Sequence, residues 1–423
     1  MDLIRNIFRG DKVIWVIFLF LCVISIIEVF SASGMLTYKS GNHWEPITQH
    51  CIYLIVGVIA MIFVHNIHYK WFQVFPTLLY PLSVILLILT TIMGYFMDSR
   101  VNGAARWMNF FGIQFQPSEV AKLALIVIVA RTLSQKSSED NEERVFKRIM
   151  IRTFIICFLI APENLSTAML LLGVVMMMMF VGHIPAKKLL MVVGLFILLG
   201  GGVFALGSVK SDMPFFHRFE TWKSRVTTFV NDEKVSPMQF NVDKYAQTAH
   251  ANIAIATSHV IGIGPGNSVE RDFLSQAFSD FIYAIIIEEL GLAGGIFVVF
   301  LYIWLLIRAG RIVNKCDRTF PAFLVLGIAL MMVSQAMLNM MVAVGLFPVT
   351  GQILPLISKG GTATIVNCVC IGMILAVSRY TESLERQTVA SPETEDSETA
   401  VNEIGPVGPT AQALNDDSEL LND

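Results

Sequence analysis

Ten long apolar runs dominate this sequence and restrict what the chain can fold into. Runs of this kind form the helices of about 20 mostly apolar residues that cross a bilayer core of about 30 Å. Only 15% of the 423 residues are charged, whereas a soluble domain carries about 25%. We therefore predict an all-α polytopic membrane protein and exclude a soluble enzyme, a disordered chain and a nucleic-acid-binding domain. The runs cover residues 13–31, 51–64, 75–93, 120–133, 149–160, 165–181, 189–206, 280–307, 322–346 and 353–377.

The distribution of Lys and Arg predicts the orientation of these helices. If the N-terminus is cytoplasmic, 18 of the 30 basic residues fall in cytoplasmic segments and 10 in outer segments, seven of them in one long loop. Short cytoplasmic loops are the ones that concentrate positive charge. The sequence thus predicts cytoplasmic termini, with residues 1–12 as the N-terminal segment and residues 13–379 as the membrane domain.

Two other segments are unusually long. Residues 207–279 form a predicted extracytoplasmic loop before the eighth helix, long enough to carry a function of its own. Residues 380–423 hold eleven acidic residues against one basic residue, and this acidic cytoplasmic tail is predicted to be disordered. The net charge of −3 therefore combines a tail of −10 with a body of +7.

Ionisable residues inside apolar runs are costly, so each is a candidate functional residue. For Glu28, near the outer end of the first run, a structural or interfacial role is favoured. Glu119 and Lys122 are three residues apart and share one helix face, so they can pair. A structural ion pair and a substrate-facing pair both fit that spacing.

Asp280 is the most informative of these residues, because it stands at the predicted outer mouth of the eighth helix. An N-terminal helix charge or a helix cap is the alternative role for a carboxylate at that position. Glu288 falls on the same helical face, and the resulting acidic column suggests a cavity or a proton path. Lys359 lies among two prolines and three glycines within residues 348–361, which predicts a broken helix against protein or a water-filled cavity. The glycine-rich stretch 262–266 lacks the context of a nucleotide-binding loop and is predicted to be a turn or re-entrant element.

Several motifs in order closely resemble signatures of the SEDS family (shape, elongation, division, sporulation). The resemblance covers nearly all of residues 13–379, and it implies a ten-helix peptidoglycan glycosyltransferase. The motifs are GAARW at 103–107, FQPSEVAK at 115–122, SDFI at 279–282, EELG at 288–291, GLFPVTG at 345–351 and LPLISKGG at 354–361.

The resemblance also implies a substrate, partners and site residues. Such proteins polymerise lipid II at the outer face of the bacterial inner membrane, together with a class B penicillin-binding protein and other divisome proteins. The family's catalytic aspartate falls on Asp280. The residues expected to contact substrate are Arg106, Trp107, Ser118, Glu119, Lys122, Thr167, Arg218, Arg225, Gln247 and Lys359.

This chain departs from the family pattern beside that aspartate. The usual Pro-Glu and His-Thr pairs are replaced by Ser275-Gln276 and Phe278-Ser279, so a histidine-mediated step at position 278 cannot apply. The usual Pro-Asp-x-Gly-Thr motif appears as PENLST at 162–167. A lysine at position 359 replaces a tyrosine, and its charge could serve a diphosphate.

The expected mechanism needs one base. Asp280 would take the proton of the acceptor hydroxyl, while the diphosphate is already a good leaving group. Cationic side chains, or a divalent cation such as Mg²⁺ or Mn²⁺, would compensate the departing charge. No metal ligands are assigned, since the six cysteines show no metal-ligand spacing.

Three alternatives stay open at this point. A flippase that moves lipid II between leaflets would also have many helices, broken segments and intramembrane charges. A non-catalytic scaffold is the second alternative. An elongation-branch polymerase is the third, although the acidic tail and the Ser-Lys-Gly-Gly motif favour the division branch and a septal location.

Overall fold

The computed structural model describes residues 9–33, 44–96, 108–110, 113–136, 139–206, 242–274 and 277–390. These residues form eleven α-helices and one short antiparallel hairpin, in which Met108 pairs with Phe115. The helices are α1 Lys12–Ala32, α2 Glu45–Asn66, α3 Trp71–Phe96, α4 Pro117–Ser134, α5 Glu139–Ile160, α6 Leu165–Val181, α7 Ala186–Leu206, α8 Val242–Thr257, α9 Ile282–Asn314, α10 Thr319–Ala343 and α11 Thr362–Ala390. The strands are β1 Met108–Phe110 and β2 Ile113–Phe115.

The predicted all-α polytopic membrane fold is confirmed. Ten of the helices coincide with the ten apolar runs, and α8 is the additional one. By length and apolar composition, six helices in the described part of the chain can each cross a membrane. They are α1, α2, α3, α9, α10 and α11, and the expected count of ten spans stays a prediction.

Three predicted boundaries are corrected. The second half of the predicted loop 207–279 contains α8 and a short 3₁₀ turn at Glu270–Asp272. The last run, 353–377, begins as non-helical chain, and its helix starts only at Thr362. That helix continues to Ala390, past the expected start of the disordered tail at 380, whereas residues 391–423 lie outside the described residues.

The chain divides into two compact units, residues 1–381 and residues 382–423. In the second unit, Arg386 donates to Glu382 at 2.6 Å. The candidate site lies in the first unit.

Helix α4 lies at the centre of the packing. Most of its side chains are buried, whereas α2 and α3 expose large apolar side chains such as Phe63 and Leu78. Small residues let helices approach closely, as is common in membranes. A Cβ atom on Gly327 of α10 would lie 2.6 Å from the methyl of Met178 and 2.8 Å from Ile126.

One end of the bundle is tied together by Asp11, just before α1. Its carboxylate accepts two hydrogen bonds from Arg308 of α9, at 2.9 and 2.6 Å. Its backbone N–H donates to the Ser378 hydroxyl of α11 at 2.9 Å. The start of α1 and the last part of α11 within the first unit therefore lie at the same end of the bundle.

Candidate active site

The non-helical residues 344–361, here called the connector, organise the site. The connector joins α10 to α11, and the predicted break in this stretch is confirmed. Gly345 and Gly351 adopt positive φ angles of 75° and 68°, which glycine tolerates without strain. Its carbonyl groups find partners on neighbouring helices: the Tyr302 hydroxyl donates to Pro355, and the Gln335 amide donates to Ile353 at 3.1 Å. Irregular backbone at membrane depth needs such partners.

Asp280 lies half-buried in a turn two residues before α9. The N-cap of α9 is Phe281, so Asp280 is not the capping residue, whereas its alternative role as an N-terminal helix charge stays a prediction. The side-chain amide of Asn339 donates to the Asp280 carbonyl at 3.0 Å and to the Gln352 carbonyl at 2.7 Å. One amide thus holds the aspartate backbone against the connector.

The two residues before Asp280 are held in the same way. The Ser358 hydroxyl donates to the Ser279 carbonyl at 2.7 Å and accepts from the Leu354 N–H at 2.8 Å. The Lys359 backbone N–H donates to the Phe278 carbonyl at 3.0 Å. Three consecutive carbonyls, those of residues 278, 279 and 280, are therefore fixed by the connector and α10, which leaves Asp280 little freedom.

Glu119 and Lys122 form the predicted ion pair, with 2.9 Å between Lys122 Nζ and Glu119 Oε2. Lys122 is only 1% exposed, and its Nζ also donates to Gln335 Oε1 at 2.7 Å. Because Gln335 in turn holds the Ile353 carbonyl, the pair supports the connector from the side of α4. Of the two roles that the spacing allowed, this geometry favours the structural one.

Thr167 meets the connector from α6. Its hydroxyl accepts from the Gln352 amide at 2.5 Å. Asn164 caps α6 by accepting from the Thr167 N–H at 3.2 Å and lies 3.4 Å from the same amide. The structure therefore brings residues 119, 122, 167, 280 and 359 around one connector.

Three buried amides that the sequence reading missed, Gln335, Asn339 and Gln352, make these links. A usable signal was present, because Gln335 and Asn339 stand four residues apart in an apolar helix and therefore share one face. Uncharged amides in a membrane helix are costly unless bonded, so such a pair predicts a polar partner.

Ser118 lines a cleft between α3, α4 and α5. Leu87, Leu159 and Ile160 supply apolar surface, and Gln116, Ser118 and Glu163 supply polar groups. The Gln116 amide donates to the Ser118 hydroxyl at 3.1 Å, and the Gln116 N–H donates to Thr362 at the start of α11. Apolar surface beside polar groups suits an amphiphile.

Lys359 is half-buried beside the Asp280 turn. Burial lowers the pKa of its ammonium group, and the nearby Glu45 carboxylate opposes that shift. Gln247 is half-buried on α8. The remaining predicted contacts, Arg106, Trp107, Arg218 and Arg225, fall outside the described residues.

Glu288 does not form the acidic column that was expected with Asp280. Glu288 Oε1 accepts from the Val269 N–H at 3.0 Å, and the Glu289 carboxylate accepts from the N–H groups of Gly266 and Ser268 at 3.1 and 3.2 Å. Both glutamates are buried. They hold the preceding loop rather than line a cavity, and the positive φ angles of Gly262, Gly264 and Gly266 confirm the predicted turn there.

Glu28 is fully buried in α1, which favours the structural one of the two roles predicted for it. Neither of its carboxyl oxygens has a hydrogen-bond partner among the described residues. Within that same part of the chain, no group of three or more His, Cys, Asp or Glu residues is arranged to hold a metal ion.

Comparison with known proteins places this geometry in context. A family profile described as "Cell cycle protein" (FtsW, RodA and SpoVE) matches residues 11–383. A Halomonas elongata protein named "Probable peptidoglycan glycosyltransferase FtsW" is 30% identical over 384 residues, covering 88% of this chain and 92% of that protein.

Two solved structures share the fold. The crystal structure of Thermus thermophilus RodA matches with a TM-score of 0.61 at 23% identity, over 88% of this chain and 98% of that chain. A chain from a structure described as "Structural coordination of polymerization and crosslinking by a peptidoglycan synthase complex" gives a TM-score of 0.69 at 22% identity, over 88% and 98%.

Proposed function

Because the chain belongs to the FtsW/RodA/SpoVE family of cell cycle proteins, we propose that it is a peptidoglycan glycosyltransferase that polymerises lipid II. The observation that carries the proposal is the fixed Asp280 turn, whose three carbonyls are bonded by Asn339, Ser358 and Lys359. A catalytic base must be held in one geometry, and rigid support of its backbone achieves this.

Asp280 acts as the general base of an inverting glycosyl transfer. Its carboxylate takes the proton from the C4 hydroxyl of the acceptor sugar as that oxygen bonds to the anomeric carbon of the donor. The bond from the anomeric carbon to the polyprenyl diphosphate breaks, and the diphosphate leaves with the electron pair. Proton abstraction of this kind contributes about 10²- to 10⁴-fold to the rate.

The leaving diphosphate needs positive charge nearby. Lys359 is joined to the Asp280 turn by its backbone bond to Phe278, which makes it a candidate for this role. Arg106, Arg218 and Arg225 remain sequence-based candidates for the same role. Lys122 is buried against Glu119 and Gln335, so its role is to support the connector. A divalent cation, Mg²⁺ or Mn²⁺, is a further candidate to be tested by chelation.

The substrate's two halves explain a site at a membrane surface. A polyprenyl tail is soluble in lipid, whereas the sugar and diphosphate require water and polar groups. The cleft beside Ser118, with Leu87 on one side and Gln116 on another, supports this pairing.

We assign the protein to the division branch, as a multi-pass inner-membrane enzyme at the septum with cytoplasmic termini. The FtsW name of the Halomonas relative supports this branch. A class B penicillin-binding protein and other divisome proteins are the proposed partners, supported by the likeness to a chain of a peptidoglycan synthase complex.

The test is polymerisation in liposomes that carry lipid II in the outer leaflet only, with and without a cognate class B penicillin-binding protein. We expect Asp280→Asn to lower glycan formation at least about 100-fold, because the base is lost. The control is Asp317→Asn, which should retain activity. Asp317 lies between α9 and α10, and its carboxylate accepts a hydrogen bond from the Tyr380 hydroxyl of α11. Lipid II transport without polymer would support the flippase alternative, and normal polymer from Asp280→Asn would exclude Asp280 as the base.

A further inference from the structure

A buried Ser–His pair on α1 and α2 contacts the connector at Ile357. Ser25 and His50 are both fully buried. The Ser25 hydroxyl lies 2.8 Å from His50 Nε2 and 2.7 Å from the Ile357 carbonyl. A carbonyl only accepts, so the single hydroxyl hydrogen of Ser25 points to Ile357. His50 must then donate from Nε2, which defines its tautomer.

The second ring nitrogen of His50 contributes no hydrogen bond within the described residues. His50 Nδ1 is buried and has no hydrogen-bond partner among the described residues. An unpaired buried acceptor loses its hydrogen bond to water without a replacement, which is costly. A histidine held at that cost is informative, because its Nε2 contact with Ser25 is the one polar contact that the described structure gives the ring.

That contact continues through three consecutive residues to the Asp280 turn. Ile357 is bonded to Ser25, Ser358 is bonded to the Ser279 carbonyl, and Lys359 is bonded to the Phe278 carbonyl. Residues 357–359 are therefore held between the α1–α2 pair on one side and the Asp280 turn on the other. A shift of Ile357 must move the bonds that hold residues 278 and 279.

We propose that Ser25 and His50 are positioning residues for Asp280, acting through residues 357–359. The proposal rests on the proposed function, since Asp280 is its catalytic base. His50 orients Ser25, Ser25 fixes the Ile357 carbonyl, and the short turn transmits that position to the aspartate. Neither residue touches the reacting atoms.

The test is a double-mutant cycle on kcat in the lipid II polymerisation assay. Ser25→Ala removes the bond to the Ile357 carbonyl together with the contact to His50. Ser358→Ala removes the bond to the Ser279 carbonyl together with the bond from the Leu354 N–H. We expect each to lower kcat about 10- to 100-fold, since a misplacement of about 1 Å can cost about 100-fold. The double variant should be no worse than the poorer single variant, because the effects pass through one element.

His50 is tested by a conservative pair of substitutions. His50→Gln keeps an N–H donor near Nε2 and should retain kcat within about threefold, whereas His50→Leu removes the donor and should resemble Ser25→Ala. The matched controls are His65→Gln at the other end of α2 and Ser83→Ala, whose hydroxyl bonds only locally to Tyr80. Both controls should leave kcat unchanged.

Hydrogen exchange provides a readout that does not depend on activity. In Ser25→Ala, the peptide covering residues 354–361 should lose protection at the Lys359 amide, whereas Ser83→Ala should not change it. If wild-type protein forms no glycan, the proposed function fails while this measurement still decides the positioning role. Multiplicative losses in kcat, or unchanged protection in Ser25→Ala, would overturn the proposal.

Discussion

Lys359 departs from the family sequence pattern and lies beside the Asp280 turn. Its backbone N–H bonds to Phe278, two residues before Asp280, so its side chain begins beside the Asp280 turn. Sequence reading identified the lysine as a candidate for a diphosphate. Only the fold shows that the Glu45 carboxylate of α2 lies near enough to raise the pKa of Lys359.

We predict a pH dependence of KM for lipid II that reports on Lys359. Burial lowers the pKa of this ammonium, so its charge is present at low pH and is lost at a lower pH than for an ordinary lysine. KM should therefore rise as the pH increases. In Glu45→Gln the favourable carboxylate is gone, the pKa of Lys359 falls further, and the rise should move to lower pH.

Two further variants test this pH dependence, with Lys359→Arg as the test variant and Glu143→Gln as the control. An arginine stays charged throughout, so the alkaline rise in KM should disappear. Glu143 is an exposed carboxylate that pairs with Lys147 on α5, and its substitution should leave the profile unchanged. A profile that is identical in wild type and Lys359→Arg would contradict the assignment.

At the scale of an element, α9 contains a break that the preceding loop repairs. Gly291 has a φ angle of 75° inside the helix. The Glu288 and Glu289 carbonyls freed there accept from the Ile263 and Gly264 N–H groups at 3.1 and 2.9 Å. The two glutamate carboxylates bond to the same loop, so backbone and side chain together replace the missing helical bonds.

Gly291→Ala should therefore destabilise the protein by about 2 kcal/mol or more. A positive φ strains any residue with a Cβ, and that atom would lie 2.3 Å from the Val260 carbonyl oxygen. Thermal unfolding in detergent measures the change. Gly310→Ala in the same helix meets no atom within 4 Å, and it should be neutral or slightly stabilising. Equal unfolding temperatures for the two variants would contradict this account of the break.

Helix α8 shows why some elements escape prediction. It lies within a predicted loop, and its sequence mixes polar residues with small apolar ones, so no run of apolar residues reveals it. Ala249, Ala251 and Ala254 are buried, and the last two are three residues apart, so they share one helix face. The burial that stabilises α8 comes from its neighbours, which a local pattern does not show.

At the scale of the whole molecule, Asp11 joins helices from both ends of the sequence. Its side chain caps α1 by accepting from the Val13 N–H at 2.8 Å, and it also pairs with Arg308 of α9. We predict that Asp11→Ala lowers the stability of the bundle by about 2 kcal/mol, because it removes a cap and leaves Arg308 without this partner.

Unfolding of the detergent-solubilised protein measures that loss. Arg308→Leu added to Asp11→Ala should recover part of it, since the unpaired charge is then removed. Glu143→Ala, which breaks an exposed pair on α5, should cause no measurable change. A double variant less stable than Asp11→Ala alone would contradict the role given to this pair.

The sequence by itself determined the positions of the apolar helices, the break before α11 and the Glu119–Lys122 pair. It also identified Asp280 as the candidate catalytic base. All of these depend on local composition, helical spacing or recognisable motifs, which are readable within a few residues. Tertiary structure decided that Glu288 and Glu289 hold a loop, that Gln335, Asn339 and Gln352 support the connector, and that Ser25 meets Ile357. Ser25 and Ile357 are 332 residues apart, and their bond exists only because helix packing brings one donor to one carbonyl in a region where water cannot replace it.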